Sequence, residues 1–528
     1  MIGAGHNGLV CAAYLARHGL PVAVLERRAR AGGCAGSERV MSTTVNICNC
    51  DHTLIRASGV IDELDLHRHG LSYFDLSPSR QHFVPGGRPW WAWHDIAQTL
   101  DGLAVTHPGE VAGYRRYLED LLPLAQLVVE VGIRRPGWKS LGVAQGGGST
   151  GPLPWRNAGR LAHLRRDSAA RVLARYFSSE DLRAPAAAGG PAIWGLAPDL
   201  PGTGLGALGY ALGHLVSPGR PLGGSGALVD ALVSAVTLDG GTVRCGAEVV
   251  SIDCSEQAVH GVTLASGEEV EADVVVCASD PRRAVVRWLR HPPRRAGSFV
   301  RRWARMEAGE GYESKVDAVI EVPPRLADEP DGLRARLGVP EDSATTLVVT
   351  PPTDAIVTAR ALASRGQVAP QPIMLANVPD LADRSVAPLD GGHTFSLEVL
   401  FTPWALRGGW ENSNEPARWL EVFGQLQWGD FLSGIRRWRS VTPRDYHDEY
   451  GLERGYAPSY PGGALATLVG LGGREVTRYR TPVPGLYLTG AGTFPGAGVW
   501  GASGRNAAGT VLSDLATPRR YRLWPASG

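Results

Sequence analysis

The chain has 528 residues, of which 44% are hydrophobic and 20% charged, with a formal net charge of +1. That length exceeds what one hydrophobic core spans and implies two or three folding units. The balanced charge, with no basic run interleaved with aromatic residues, argues against a nucleic-acid surface, and seven cysteines, an odd number in a long chain, argue against a disulfide framework.

At the start, Gly3-Ala4-Gly5-His6-Asn7-Gly8 forms a GxGxxG turn, and Glu26 follows the apolar run Val22-Ala23-Val24-Leu25. In such a unit the first glycine permits the tight turn, the second lets backbone approach a pyrophosphate, and the third lets the helix pack against its strand. The helix N-terminus then presents N–H groups to the phosphates, and the acid accepts hydrogen bonds from ribose hydroxyls. A second match, Gly204 to Gly209, has no apolar strand before it and no acid at the right distance after it, so it reads as a glycine-rich helix or loop. Only Met1-Ile2 precede the first glycine, so either the start site is placed late or the first strand is short; residues 1–5 are expected to form its end. Residues 9–18 read as a helix stopped by Gly19, and Gly32-Gly33 as a second glycine turn against the pyrophosphate. Cys48-Asn49-Cys50 with His52 would suggest a metal, but no second ligand pair at zinc-like spacing accompanies it, and no metal is expected.

Residues 76–215 hold Trp90-Trp91, Trp93, a predicted helix from Pro108 to Val131 and a Pro/Gly-rich loop over residues 146–154. No membrane span is predicted, because the best apolar run, residues 121–133, is broken by Pro123, Gln126 and Glu130. With no charged-apolar-small leader the protein is expected in the cytoplasm, with peripheral membrane contact left open. Residues 221–281 return to dinucleotide grammar: a glycine turn at residues 223–224, a helix from Ala227 to Leu238, then strands near residues 242–245, 248–252, 262–264 and 272–278. Short β runs with glycine turns indicate an antiparallel extension on a parallel sheet. Residues 291–475 suit an α+β layer, with strands at residues 315–320 and 393–401. Near the end, a strand at residues 485–488 enters the turn Thr489-Gly490-Ala491-Gly492, and a helix starts near Gly501.

These blocks, in order Gly3–Gly8 with Glu26, Gly32-Gly33, Pro221–Gly224, Glu248-Val249, Ala272–Pro281 and Thr481 through Ala508, resemble the flavin-dependent phytoene desaturase and carotenoid isomerase family, within the wider amine oxidase-like group. The resemblance implies FAD, not NAD. Gly3, Gly5 and Gly8 would face its pyrophosphate and Glu26 its adenosine ribose. Gly32 and Gly33 would line the diphosphate and ribityl chain, and Val249 would meet adenine through its backbone. Gly490 and Ala491 would approach the pyrophosphate and ribityl region, with Val499, Trp500 and Gly501 at the isoalloxazine. It implies a fold that is α/β plus α+β, a discontinuous Rossmann-like FAD-binding domain (residues 1–75, 216–290 and 476–528) and an inserted mixed substrate domain (residues 76–215 and 291–475).

Three positions depart from the family: Trp500 where a small residue is common, Phe494 where His is frequent, and Cys34 where Arg often follows the double glycine. Trp500 either narrows the space beside the flavin or packs an interface. Asp51-His52 marks His52 as the candidate acid/base group; covalent flavin attachment through Cys34, Cys48, Cys50 or His52 is a weaker candidate. No nucleophile elbow supports hydrolase chemistry. The expected enzyme is an FAD-dependent oxidoreductase that desaturates a largely apolar substrate, a carotenoid-like isoprenoid or specialised metabolite, by hydride transfer to flavin N5, its reoxidant (oxygen, a quinone or another carrier) left open. Rival expectations are a C–N (amine) oxidase, a redox-neutral isomerase and a non-catalytic FAD-binding assembly protein.

Overall fold

The first glycine motif joins a strand to a helix, yet only Ile2 of that strand pairs. In the computed structural model, which describes residues 1–48, 51–133, 155–306, 309–456 and 473–516, Ile2 lies between Leu25 and Cys277, parallel to both. Gly3 N–H donates to Leu25 O (2.8 Å) and Ala278 N–H to Ile2 O (2.8 Å). Through this one residue two parallel pairs become one sheet, in the order Thr242–Cys245, Ala23–Glu26, Ile2, Val275–Cys277, Leu486–Leu488. The strands come from three distant stretches of chain. Cys50 and the loop expected over residues 146–154 lie outside the described residues.

Helix His6–Arg17 packs between helices Gly226–Leu238 and Ala502–Leu515. Its apolar face, with Leu9, Val10, Ala12 and Ala13, is fully buried. Contact with the C-terminal helix is close enough that a Cβ on Gly504 would lie 2.2 Å from Asn7 O. Beside the parallel sheet, Val249–Cys254, Val259–Leu264 and Glu269–Glu271 form the antiparallel extension, with the short Leu289–Arg290 parallel to the first of them.

A second, seven-stranded sheet runs in the order Ile435–Val441, Tyr312–Ile320, His393–Thr402, Met374–Asn377, Thr346–Val349, Arg80–Phe83, Trp90–Ala92. All its neighbours are antiparallel except Thr346–Val349 beside Arg80–Phe83. Strand alternation sends Val316, Ala318, Phe395, Leu397 and Val399 to one face, where Trp419, Leu420 and Phe423 of helix Glu415–Gly424 cover them. The other face carries Glu313, Lys315, Asp317, Ser396 and Glu398. The fold is thus α/β, with a Rossmann-like parallel sheet and a mixed second sheet.

The helical layer of residues 96–133 and 155–215 surrounds an aromatic core in which Trp90, Tyr114, Tyr117, Phe177 and Tyr210 meet at ring-centroid distances of 5.3–6.4 Å. Those aromatic groups fill a core. The helix predicted from Pro108 begins with one 3-10 turn and runs as Val111–Gly132, carrying Pro123 within it. Among the described residues no helix is long and apolar enough to cross a membrane.

Candidate functional site

A cleft of about 200 Å³ opens at the C-terminal ends of the parallel strands, where ligands of such sheets bind. Gly3, Gly5, Gly8, Glu26, Gly33, Val249, Gly490 and Ala491 all line it. The three motif glycines have different reasons to be glycine. Gly3 has φ +92°, a conformation that side chains resist. A Cβ on Gly8 would meet Gly3 O at 2.2 Å, whereas one on Gly5 would find nothing within 4 Å. The second glycine therefore leaves open space where a ligand's phosphates would approach.

Gly32 braces this turn from behind without lining the cleft: its N–H donates to Ala4 O at 2.9 Å, and Gly5 and Gly32 form a parallel bridge. Helix His6–Arg17 starts at Gly5 with no side-chain cap and no acid in its first turn, leaving its N-terminal N–H groups and partial positive charge to an anion. Glu26 ends its strand with Oε2 accepting from Ala4 N–H (2.8 Å) and Oε1 from Arg28 N–H (2.9 Å). Each carboxylate oxygen retains a lone pair for a ribose hydroxyl. Asn7 borders the cleft, and its Oδ1 is buried without a hydrogen-bond partner. An open glycine, an uncapped helix start and an unpartnered amide oxygen fit the adenosine diphosphate half of a dinucleotide.

At the C-terminal block Gly490 has φ +94°, and a Cβ there would lie 2.7 Å from Ala278 O. Ser503 Oγ, in the first turn of helix Ala502–Leu515, accepts from Gly490 N–H (3.0 Å) and hydrogen-bonds with Thr489 (2.8 Å) and Thr493 (2.7 Å). The helix start and glycine turn are thus one unit. Val499, Trp500 and Gly501 line neither this cleft nor the second cavity described below. The Trp500 indole donates to Ala497 O (3.0 Å) and lies over the end of helix Val111–Gly132, where a Cβ on Gly132 would be 3.1 Å from the ring.

His52 is fully buried and lines neither space. Its Nδ1 pairs with Tyr73 OH (3.0 Å) and its Nε2 with Ser225 Oγ (3.1 Å). Burial, helped by neighbouring His6, pushes its pKa down to about 3, so the ring is neutral at ordinary pH. His6 borders the cleft, and burial pushes it down to about 4.

The second cavity, about 40 Å³, lies between the segment after strand Thr43–Asn46 and the polar face of the seven-stranded sheet. Asp51, Arg80, Lys315, Asp317 and Glu398 give it a charged wall, joined by the Cys48 thiol, and among the described residues no aromatic side chain lines it. Asp51 accepts from Arg220 Nε (2.8 Å) and Thr346 Oγ1 (3.3 Å). Asp317 pairs with Lys315 (2.6 Å) and Arg439 (3.2 Å). The Lys315 ammonium also donates to Asn46 O, while Asn46 Oδ1 accepts from Ser37 Oγ (2.9 Å) and Ser225 N–H (2.8 Å). The reading of the sequence missed this wall. Its signal was the alternation in Glu313-Ser314-Lys315-Val316-Asp317, which sets three charges on one face of a wholly buried strand.

Residues 1–82 match the family of NAD(P)-binding Rossmann-like domains, and residues 166–351 that of flavin containing amine oxidoreductases. The chain is 28% identical to a rat protein named pyridine nucleotide-disulfide oxidoreductase domain-containing protein 2, over 98% of this chain and 93% of that one. It is 25% identical to a phytoene desaturase (lycopene-forming) of Pseudescherichia vulneris, over 98% and 99% of the two chains. Cyclohexylamine oxidase from Brevibacterium oxydans IH-35A shares the fold, with a TM-score of 0.57 at 16% identity and 98% of each chain covered.

Proposed function

From the premise that this chain is a phytoene desaturase-like flavoprotein of the amine oxidase superfamily, an enzyme and an FAD-dependent oxidoreductase, we propose that it dehydrogenates a substrate held in the second cavity. The observation that carries this reading is the pair of spaces itself: Cys34 borders the dinucleotide cleft and Cys48, its neighbour, borders the charged cavity. A ligand in one space is thus a side chain's width from a ligand in the other. When bound, FAD supplies the two-electron acceptor, taking hydride at N5. Gly3, Gly5, Gly8 and the start of helix His6–Arg17 would hold the pyrophosphate, Glu26 the ribose, and Gly490 with Ala491 the ribityl side.

We read the reaction as desaturation of a carbon–carbon bond in a largely apolar compound, a carotenoid-like isoprenoid or specialised metabolite. Full-length likeness to a protein named phytoene desaturase supports this. The charged wall adds a condition. A bare hydrocarbon would strip water from Arg80 and Glu398 without replacing its hydrogen bonds, so the substrate carries at least one polar group. The same wall favours a second reading, C–N oxidation, in which a carboxylate faces an amine. On either reading residues 1–75, 216–290 and 476–528 serve the cofactor, and residues 76–215 and 291–475 serve the substrate.

Anaerobic mixing of the purified yellow protein with candidate polyprenoids and amines tests this. Bleaching of the flavin with a product two hydrogens lighter is expected. Turnover without any acceptor would establish an isomerase instead, and no response to any compound would leave a binding role.

A further inference from the structure

Strand Tyr312–Ile320 pairs with His393–Thr402 so that Lys315 stands directly across from Glu398 and Glu313 across from Leu400. Glu313 and Glu398 are therefore diagonal neighbours on one face, within reach of each other. Glu398 lines the second cavity, and Glu313 is buried beside it. The other carboxylates of the cavity wall are matched: Asp51 with Arg220, and Asp317 with Lys315 and Arg439. Among the described residues neither Glu313 nor Glu398 has an ion-pair partner within 4 Å. Two carboxyl groups this close and this dry cannot both ionise, so they hold one proton between them.

We propose that Glu398 takes the proton that the substrate loses as its hydride leaves, with Glu313 as the positioning residue that hydrogen-bonds to it. The proposal rests on the dehydrogenation read above. In the step, a C–H or N–H bond beside the hydride-losing carbon breaks, its electron pair becomes the new double bond, and the proton forms an O–H bond on Glu398. The hydride carries the second electron pair to bound FAD, which is reduced as the substrate is oxidised.

The surroundings decide which acid holds the resting proton. Burial is the largest influence on both groups and raises both. Glu313 is held well above the usual carboxyl range, with Cys48 and Glu398 adding to the rise. Glu398 is raised less, because it accepts a hydrogen bond from Glu313 and faces Lys315 and Arg80, with Asp51 opposing them. Glu313 is thus the proton carrier and Glu398 the base. Behind them the Cys48 thiol lies beside both Glu313 and Cys34 and lines the same cavity as Glu398. His52, with both ring nitrogens occupied and no place on either wall, has no comparable access.

Two measurements on the FAD-loaded full chain test the proposal. Infrared spectra at neutral pH should show a neutral carboxylic acid band that disappears in Glu313→Gln; a wild-type spectrum without it, or a band unchanged in the variant, overturns the shared proton. With a compound that bleaches the wild type, Glu398→Gln should slow anaerobic bleaching by about 100- to 10 000-fold at unchanged flavin content. Glu398→Asp should recover part of the rate, and the wild-type rise of rate with pH should flatten in Glu398→Gln. Equal rates and equal pH profiles in wild type and Glu398→Gln overturn the role of Glu398 while the dehydrogenation stands. If nothing bleaches the wild type, the reaction and the acceptor role both fall, whatever the infrared band shows.

Discussion

A single methyl group distinguishes the duties of Gly5 and Gly8. In Gly8→Ala the new Cβ lies 2.2 Å from Gly3 O, a backbone atom held in the sheet, so the helix must move off its strand. Gly5 has φ −69°, which alanine adopts without strain, and its Cβ points into open space. The expected outcome is that Gly8→Ala loses flavin and melts at lower temperature. Gly5→Ala should lose flavin while its apoprotein melts like wild type. Flavin absorbance per chain and apoprotein melting check both. This turn was legible from sequence because its physics is local: six consecutive residues and an acid at the end of the next strand define it. His82 was not. It sits in an unremarkable run, yet it is buried with both ring nitrogens unpartnered and stacks on Trp90 at 4.5 Å. Nothing short of the folded sheet discloses that.

Elements show the same division. Helix Ala502–Leu515 and the strand before it were readable from glycine spacing, and Ser503 ties them as expected of one unit. The charged cavity wall was not found, because it needs strand Tyr312–Ile320 to meet a partner about 80 residues away in one register; a slip of one residue would turn Glu398 to the apolar side. Trp500 stood between two expectations, ring-side narrowing and packing. Its contact with the end of helix Val111–Gly132 favours packing. Trp500→Ala should therefore cost about 3–5 kcal/mol of stability and leave flavin content unchanged. Loss of flavin at an unchanged melting temperature would restore the ring-side role.

At the scale of the whole molecule, buried histidines set the acid limit. Burial lowers His6 to about 4, and His52 and His82 to about 3, from an ordinary 6.5. Between those values and pH 6.5 the unfolded chain binds protons that the folded chain refuses, so stability falls as pH drops from 6.5 toward 4. Each group contributes about 1.4 kcal/mol per pH unit. The Glu313–Glu398 pair and Asp280, raised by burial, act in the opposite direction above their ordinary pKa and offset part of that slope. Denaturant unfolding between pH 4.5 and 6.5 (about the window those values define) should show this slope, reduced by one histidine's share in His82→Phe. Asn46 carries a further consequence. Its amide oxygen receives Ser37 and Ser225 beside the glycine turns, and its carbonyl receives Lys315 from the opposite sheet. One residue thus ties Ser37 and Ser225 to the lysine that walls the second cavity, so Asn46→Ala should slacken that lysine's seat and lower the melting temperature.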